Sequence, residues 1–196
     1  MVADIFAEKP ILKGERVILR PFVPDDLAAM GRILADPEVL RLTGSVHSTV
    51  EAQSQPDRLD ERTVQWYETR GEQPDRLDLA IVPVTGGDCV GEAVLNELHM
   101  ANDTCGFRIL IGPAGRDRGF GSEATRLIID HAFDTTELNR IELEVFAFNP
   151  RARRVYEKAG FRYEGTRRDA LKFDDEYVDA IDMAILRREW KSQRTS

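Results

Sequence analysis

Cysteine, long apolar runs and positive charge are all scarce in this 196-residue chain, and each shortage excludes something. No apolar run approaches the ~20 residues a bilayer span requires, so no membrane partner is expected. Met1-Val2-Ala3-Asp4 lacks the basic flank and apolar stretch of a secretory signal, and a cytoplasmic location is expected. The 2 cysteines, Cys89 and Cys105, lie in apolar strand-like runs without CxxC spacing. Buried, reduced thiols and no bound metal are predicted from this. Lys and Arg number 27 against 35 Asp and Glu, a net charge of −8. That balance opposes a phosphate-tracking nucleic-acid binder and suits a cationic small partner. Repeats and low-complexity tracts are also lacking. What is present is a 42% hydrophobic chain long enough for one domain, 1–196, to bury a core without staples.

Arg16 to Arg20 alternates and stops at Pro21, as a strand does. Asp25 is placed to cap the next helix, whose Leu27, Met30, Ile33 and Leu34 share a face until Asp36-Pro37 ends it. Pro37 then opens a short helical turn. Leu59, Thr63, Trp66 and Tyr67 predict a helix between Pro56 and Gly71, and polar Ser45 to Asp57 predicts a mobile loop. Two strands, Leu77 to Val84 and Cys89 to Leu98, flank Thr85-Gly86-Gly87-Asp88, a hairpin turn by composition. Thr104 to Ile111 alternates as a further strand, and antiparallel pairing is expected throughout. Ala124, Leu127, Ile128, His131 and Ala132 mark an amphipathic helix. The strand Ile141 to Phe148 precedes a helix opened by Asn149-Pro150 and closed by Gly160. Phe161 to Arg167 and Tyr177 to Leu186 complete the strands.

Two segments carry chemistry. Gly112 to Gly121 joins a strand to a helix, where glycines let several amides converge and the helix terminus adds partial positive charge. Arg116 and Arg118 can offset a pyrophosphate there. An ordinary connection is the alternative, since the loop is neither a G-x-G-x-x-G fingerprint nor a Walker loop. A second segment, Asn149 to Phe161, follows at short distance.

Together the two segments resemble the GNAT superfamily of N-acetyltransferases. Its acetyl-CoA loop reads Gln/Arg-x-x-Gly-x-Gly/Ala, matched by Arg116, Gly119 and Gly121. Its later motif is matched by Asn149, Ala152, Tyr156, Glu157, Gly160 and Phe161. Val17 to Pro21 and Asp179 to Met183 are similar to the ribosomal-protein and spermidine acetyltransferase branch, and residues 43–75 are least covered. The resemblance implies an α/β (α+β mixed) acyl-CoA N-acyltransferase fold. Its central twisted sheet would be mostly antiparallel, with about seven strands, flanking helices and a V-shaped splay between the fourth and fifth strands, here Thr104 to Ile111 and Ile141 to Phe148.

The same resemblance implies acetyl-CoA as cosubstrate, without metal. Amides of Arg116, Asp117, Arg118, Gly119, Phe120, Gly121 and Ser122 would hold the pyrophosphate. A backbone amide near Leu110 or Ile111, in a bulged strand, would be the oxyanion donor. Asn149, in one motif with Arg151 and Ala152, would bond the pantetheine arm, and the Tyr156 phenol would protonate the departing thiolate. Arg151 and the neighbouring arginines are accounted for by the 3′-phosphate of CoA or by solvent. Asn149 is also a plain helix cap, and both roles can hold. Tyr156 is otherwise a core aromatic beside Val155 and Ala159.

Acetyl transfer to an amine also needs a proton acceptor, because an ammonium is almost wholly protonated at neutral pH. Thr104 to Ile111 carries no Glu or His, where several relatives place a base. By the spermidine-type pattern Glu97 is the substitute, with Glu92 second. His99 and Asp103 read as solvated turn residues, His131 as a packed core side chain, and Glu142 and Glu144 as a solvated face or an acceptor-site lining.

Two functions are in play. One is acetylation of a primary amine on a protein N-terminus, a polyamine or another small amine. The other is a non-catalytic acetyl-CoA sensor or interaction module, against which Tyr156 beside Asn149 argues. The resemblance also implies a homodimer, and acceptor selection by the first helices and the loop around Thr43 to Asp57.

Overall fold

Eight strands form one sheet, in the order β1-β2-β3-β4-β5-β6-β8-β7, in the computed structural model, which describes residues 5–194. The opening Met1-Val2-Ala3-Asp4 lies outside the described residues. The strands are β1 (Leu12–Lys13), β2 (Val17–Arg20), β3 (Leu77–Pro83), β4 (Gly91–His99), β5 (Thr104–Ile111), β6 (Arg140–Phe146), β7 (Arg162–Phe173) and β8 (Glu176–Leu186). The helices are α1 (Asp26–Leu34), α2 (Pro37–Leu42), α3 (Thr49–Gln53), α4 (Glu61–Thr69), α5 (Phe120–Thr135), α6 (Pro150–Ala159) and α7 (Arg187–Arg194). The strand beyond the expected seven is β1, whose two residues pair with Leu19 and Ile18. A pair of residues has no alternation to read.

Antiparallel pairing does not hold throughout. β5 and β6 are parallel, because α5 carries the chain across the sheet before it returns. Only Thr104, Cys105 and Gly106 of β5 pair with β6, opposite Arg140, Ile141 and Glu142. Beyond Gly106 the two strands part, which is the expected splay, here between the fifth and sixth strands.

The sheet buries both faces. On one, Leu19, Leu79, Leu95, Phe107, Ile141 and Met183 pack with Ala124, Ile128 and Ala132 of α5. Burying a side chain such as Ile128 contributes about 1.5–3 kcal/mol. On the other face α1 and α4 cover Ala80 and Cys89 through Met30, Ile33 and Tyr67. Cys89 and Cys105 are buried free thiols, each pushed up to about 12 chiefly by burial. His131 is half-buried rather than fully packed, with its pKa lowered by desolvation.

Several local expectations change. Asp25 has helical φ and ψ and makes no capping bond. Asp26 takes the polar role instead, accepting from the Val23 amide at 2.9 Å and from Arg20 at 2.7 and 2.8 Å. The expected loop from Ser45 to Asp57 contains α3, whose N-cap Ser48 accepts from the Glu51 amide at 3.1 Å. α7 is held by Trp190, which is buried against Phe133 and donates to Asp130 at 2.6 Å. The hairpin glycines behave as read, with φ of +84° at Gly86 and +108° at Gly87.

Glu123, in the first turn of α5, fastens that helix to the start of the sheet. Its buried carboxylate accepts from the amides of Glu15 at 2.9 Å, Arg16 at 2.8 Å and Val17 at 2.9 Å. Burial acts to raise its pKa, but the three amides outweigh burial and hold it below 4.5. Glu123→Ala leaves three amides without an acceptor and is expected to lower stability by about 3 kcal/mol. Because the folded pKa is depressed, the carboxylate's contribution is whole above the unfolded value and is lost as pH falls through the folded one. Urea unfolding should therefore show a gap between native and variant that is full at neutral pH and narrows below about pH 4. A gap that does not change with pH refutes the assignment.

Candidate active site

A cleft of about 1230 Å³ runs through the splay, with the α5 and α6 termini on one side and α2, α4 and the far sheet face on the other. Its first wall is the Gly112 to Ser122 loop. Gly119 has φ +78° immediately before α5, a conformation that suits glycine. A Cβ there would also lie 3.0 Å from Nη1 of Arg16. The turn aims successive amides outward. Among the described residues, no backbone carbonyl accepts from the N–H groups of Asp117, Arg118, Gly119, Phe120, Gly121 or Ser122. The Arg116 amide differs, reaching the Pro113 carbonyl at 3.4 Å.

The Arg116 side chain departs from expectation. Its guanidinium, read as an offset for pyrophosphate, is held by Asp36 and Glu38, each at 2.5 Å. The same Asp36 oxygen caps α2, accepting from Val39 at 2.9 Å. Carboxylates at the start of α2 therefore neutralise the arginine and moor α2 to the loop. Arg118 is exposed and lies over the Phe120 ring at 4.5 Å. Arg151 pairs with Asp117 at 3.3 Å across the cleft mouth.

The second wall is β5. Gly112 donates to the Val90 carbonyl at 2.8 Å, and Leu110 stands opposite Glu92. In this register the Leu110 N–H points into the β4 ladder, while the N–H groups of Ile109 and Ile111 point toward the splay. Of the two candidate oxyanion donors, Ile111 has the usable direction. The strand itself is not bulged as expected: its register with β4 is regular from Gly106 to Ile111, and the irregularity sits in β4 between Asn96 and His99. There Glu97 is the extra residue, with φ +53°.

α6 supplies the third wall. Oδ1 of Asn149 accepts from the Ala152 amide at 3.0 Å, which leaves the side-chain NH2 free to donate. Pro150 at the first position and left-handed Gly160 past the last bound the helix as read. The Tyr156 ring is buried, edge-on to Phe107 with centroids 6.2 Å apart. Tyr156 lines the cleft, and its hydroxyl has no hydrogen-bond partner among the described residues. Burial pushes the phenol upward from its ordinary value, so it stays protonated.

Residues 16–162 match the family profile described as Acetyltransferase (GNAT) domain. The chain belongs to the GNAT acetyltransferase family. It is an acetyl-CoA-dependent N-acetyltransferase, and the unshared amides at the head of α5 fit a diphosphate. Similar proteins include the L-amino acid N-acetyltransferase AaaT of Escherichia coli (strain K12), 29% identical over 170 residues that span 86% of this chain and 96% of that protein. The spermidine N(1)-acetyltransferase of the same strain is 26% identical over 119 residues, 61% of this chain and 64% of that one. The solved spermidine N-acetyltransferase from Vibrio cholerae in complex with CoA and spermine shares the fold, with a TM-score of 0.76 at 20% identity over 91% of this chain and 99% of that one.

On the far sheet face the GNAT cleft is lined by charge. Glu92, the second candidate base, is buried, accepting from Tyr67 at 3.0 Å and Arg70 at 2.9 Å. Glu142 and Glu144 line the cleft and pair with Arg140 and Arg167. Glu97 is exposed to the cleft and has neither counter-ion nor hydrogen bond among the described residues. His99 and Asp103 stay at the exposed turn. Sequence reasoning gave Arg70 no role and read Asp36 only as part of a helix end, although Asp36 before Pro37 is a readable N-cap.

Proposed function

We propose that this chain, read as one domain over residues 1–196, transfers an acetyl group from acetyl-CoA to a primary amine by direct attack in a ternary complex. The acceptor class is a protein N-terminus, a polyamine or another small amine. One observation carries the reading: unshared loop amides, an unpartnered phenol and an uncompensated carboxylate border a single cleft. The amides from Asp117 to Ser122 take the pyrophosphate, and the partial charge of α5 assists. Arg151 serves the 3′-phosphate, with Ala152 and the Asn149 NH2 along the pantetheine arm. Ile111 directs its N–H at the thioester oxygen as charge gathers there.

Glu97 takes the ammonium proton, directly or through water. The freed nitrogen attacks the thioester carbon, a C–N bond forms, the C–S bond breaks, and the nitrogen releases its surplus proton to solvent as the amide forms. Tyr156 gives its proton to the departing sulfur and regains one from solvent. Buried reduced thiols suit a cytoplasmic location, and the resemblance supports a homodimer, which size-exclusion chromatography reads directly.

CoA release measured with a thiol reagent across a panel of amines tests the reading, and the two buried cysteines contribute little background. Native protein is expected to turn over. Glu97→Gln should lower kcat by about 10²-fold near neutral pH, with partial recovery as the pH approaches the pKa of the amine. An unchanged kcat removes Glu97 from the proton path. Acetyl-CoA binding without CoA release from any amine favours the sensor reading.

A further inference from the structure

Glu97 has a counterpart. Of the charged side chains that line the cleft, all but Glu97 and Arg108 are ion-paired, as with Glu92 to Arg70, Glu38 to Arg116 and Glu164 to Arg140. Arg108 has no carboxylate within 4.0 Å, no hydrogen-bond partner and no ring beneath it among the described residues. Both lone charges occupy one face. Gly106 and Arg108 are two apart on β5 and so present the same side of the strand. An added Cβ at Gly106 would lie 3.3 Å from Oε2 of Glu97, so that carboxylate sits over Gly106. Phe107, the residue between them, faces the opposite side and meets the Tyr156 ring. The two charges therefore border one face of β5, and Tyr156 packs on the residue between them from the other face.

We infer that the acceptor is a zwitterion, an amino acid whose ammonium meets Glu97 and whose carboxylate meets Arg108. This rests on the acetyl-transfer reading and narrows its acceptor class. An α-amino acid carries both charges on one carbon and can give one charge-assisted hydrogen bond to each group at once. A guanidinium grips a carboxylate with two parallel bonds, which a decarboxylated amine forgoes. A polyamine would set a second cation against Arg108. The reaction balances as before: the amino nitrogen gains the acetyl carbon, sulfur gains a proton, and the products are an N-acetyl amino acid and CoA.

The test is CoA release by the native protein on matched acceptors: phenylalanine and methionine, their carboxamides, their decarboxylated amines, spermidine and a short N-terminal peptide. The free acids are expected to show kcat/KM at least about ten-fold higher than their carboxamides and decarboxylated amines. Arg108→Gln should raise KM for the acids and narrow that ratio, and Arg108→Lys should retain part of it. A thermal unfolding curve establishes that each variant is folded. Equal or better turnover of the decarboxylated amines, spermidine or the peptide overturns the inference and leaves acetyl transfer standing. So does a ratio that Arg108→Gln does not change. No CoA release from any acceptor overturns the transfer reading itself.

Discussion

Tyr156→Phe is expected to lower kcat for CoA release by about 10²- to 10⁴-fold, the range over which a positioned acid contributes. The fold should not notice. The ring is buried beside Phe107 and Phe161, and Phe keeps its volume and both aromatic contacts. The hydroxyl has no hydrogen-bond partner among the described residues, so its removal strands no donor or acceptor there. Affinity for acetyl-CoA should change little, because the loss falls on the step in which sulfur departs. Burial raises the phenol above its ordinary 10.0, so no alkaline fall in kcat below that pH belongs to this group. A Phe variant with native kcat would take the proton to sulfur from elsewhere.

The largest stability effect is expected at Arg70. This guanidinium is buried and binds Asp78 and Glu92, while Arg76 also reaches Asp78. Burial acts to lower its pKa, but the two carboxylates outweigh burial and raise it. The Tyr67 and Phe22 rings lie 4.5 and 5.1 Å from it. Arg70→Met removes the only cation paired with Glu92 among the described residues and one of two on Asp78. The expected loss is about 3–5 kcal/mol, the scale for a buried charge stripped of its partner. For a chain of this size that lowers Tm by at least about 6 °C. Adding Glu92→Gln to Arg70→Met should restore part of the loss, since the residual penalty is an unpaired carboxylate. Calorimetry of the two variants decides it: a double variant no more stable than the single one shows that the penalty does not reside in Glu92.

Such a network explains what the sequence could and could not disclose. Asn149-Pro150 and Gly160 declare the ends of α6 because cap, first turn and left-handed exit are each set by the residue itself. Gly86-Gly87 does the same for its hairpin. Arg70, by contrast, falls at the end of the expected helix and heads a run of Arg, Gly, Glu, Gln, Pro and Asp with no apolar residue to mark burial, and only α4 folded onto β3 and β4 makes it buried. α7 hides for a related reason: one tryptophan among charges carries its docking. In β7, Asp169 at φ +53° shifts the register between Arg167 and Leu171, which erases the alternation beyond Arg167. The site divides the same way. Motif marks Tyr156 and the loop amides as candidates, whereas the occupation of Arg116 by Asp36 and Glu38 depends on a helix placed eighty residues earlier.

The brief parallel seam between β5 and β6 also governs how the molecule can flex. Two broad sheet leaves, one led by β4 and β5 and the other by β6 and β8, share backbone bonds among the described residues only where Asp103 to Gly106 meets Asn139 to Glu142. Elsewhere along this line they are joined by side-chain packing and by α5. A small rotation of one leaf about the seam changes the width of the gap while every antiparallel ladder stays intact. The width of the cleft is thus the dimension that fewest backbone hydrogen bonds fix.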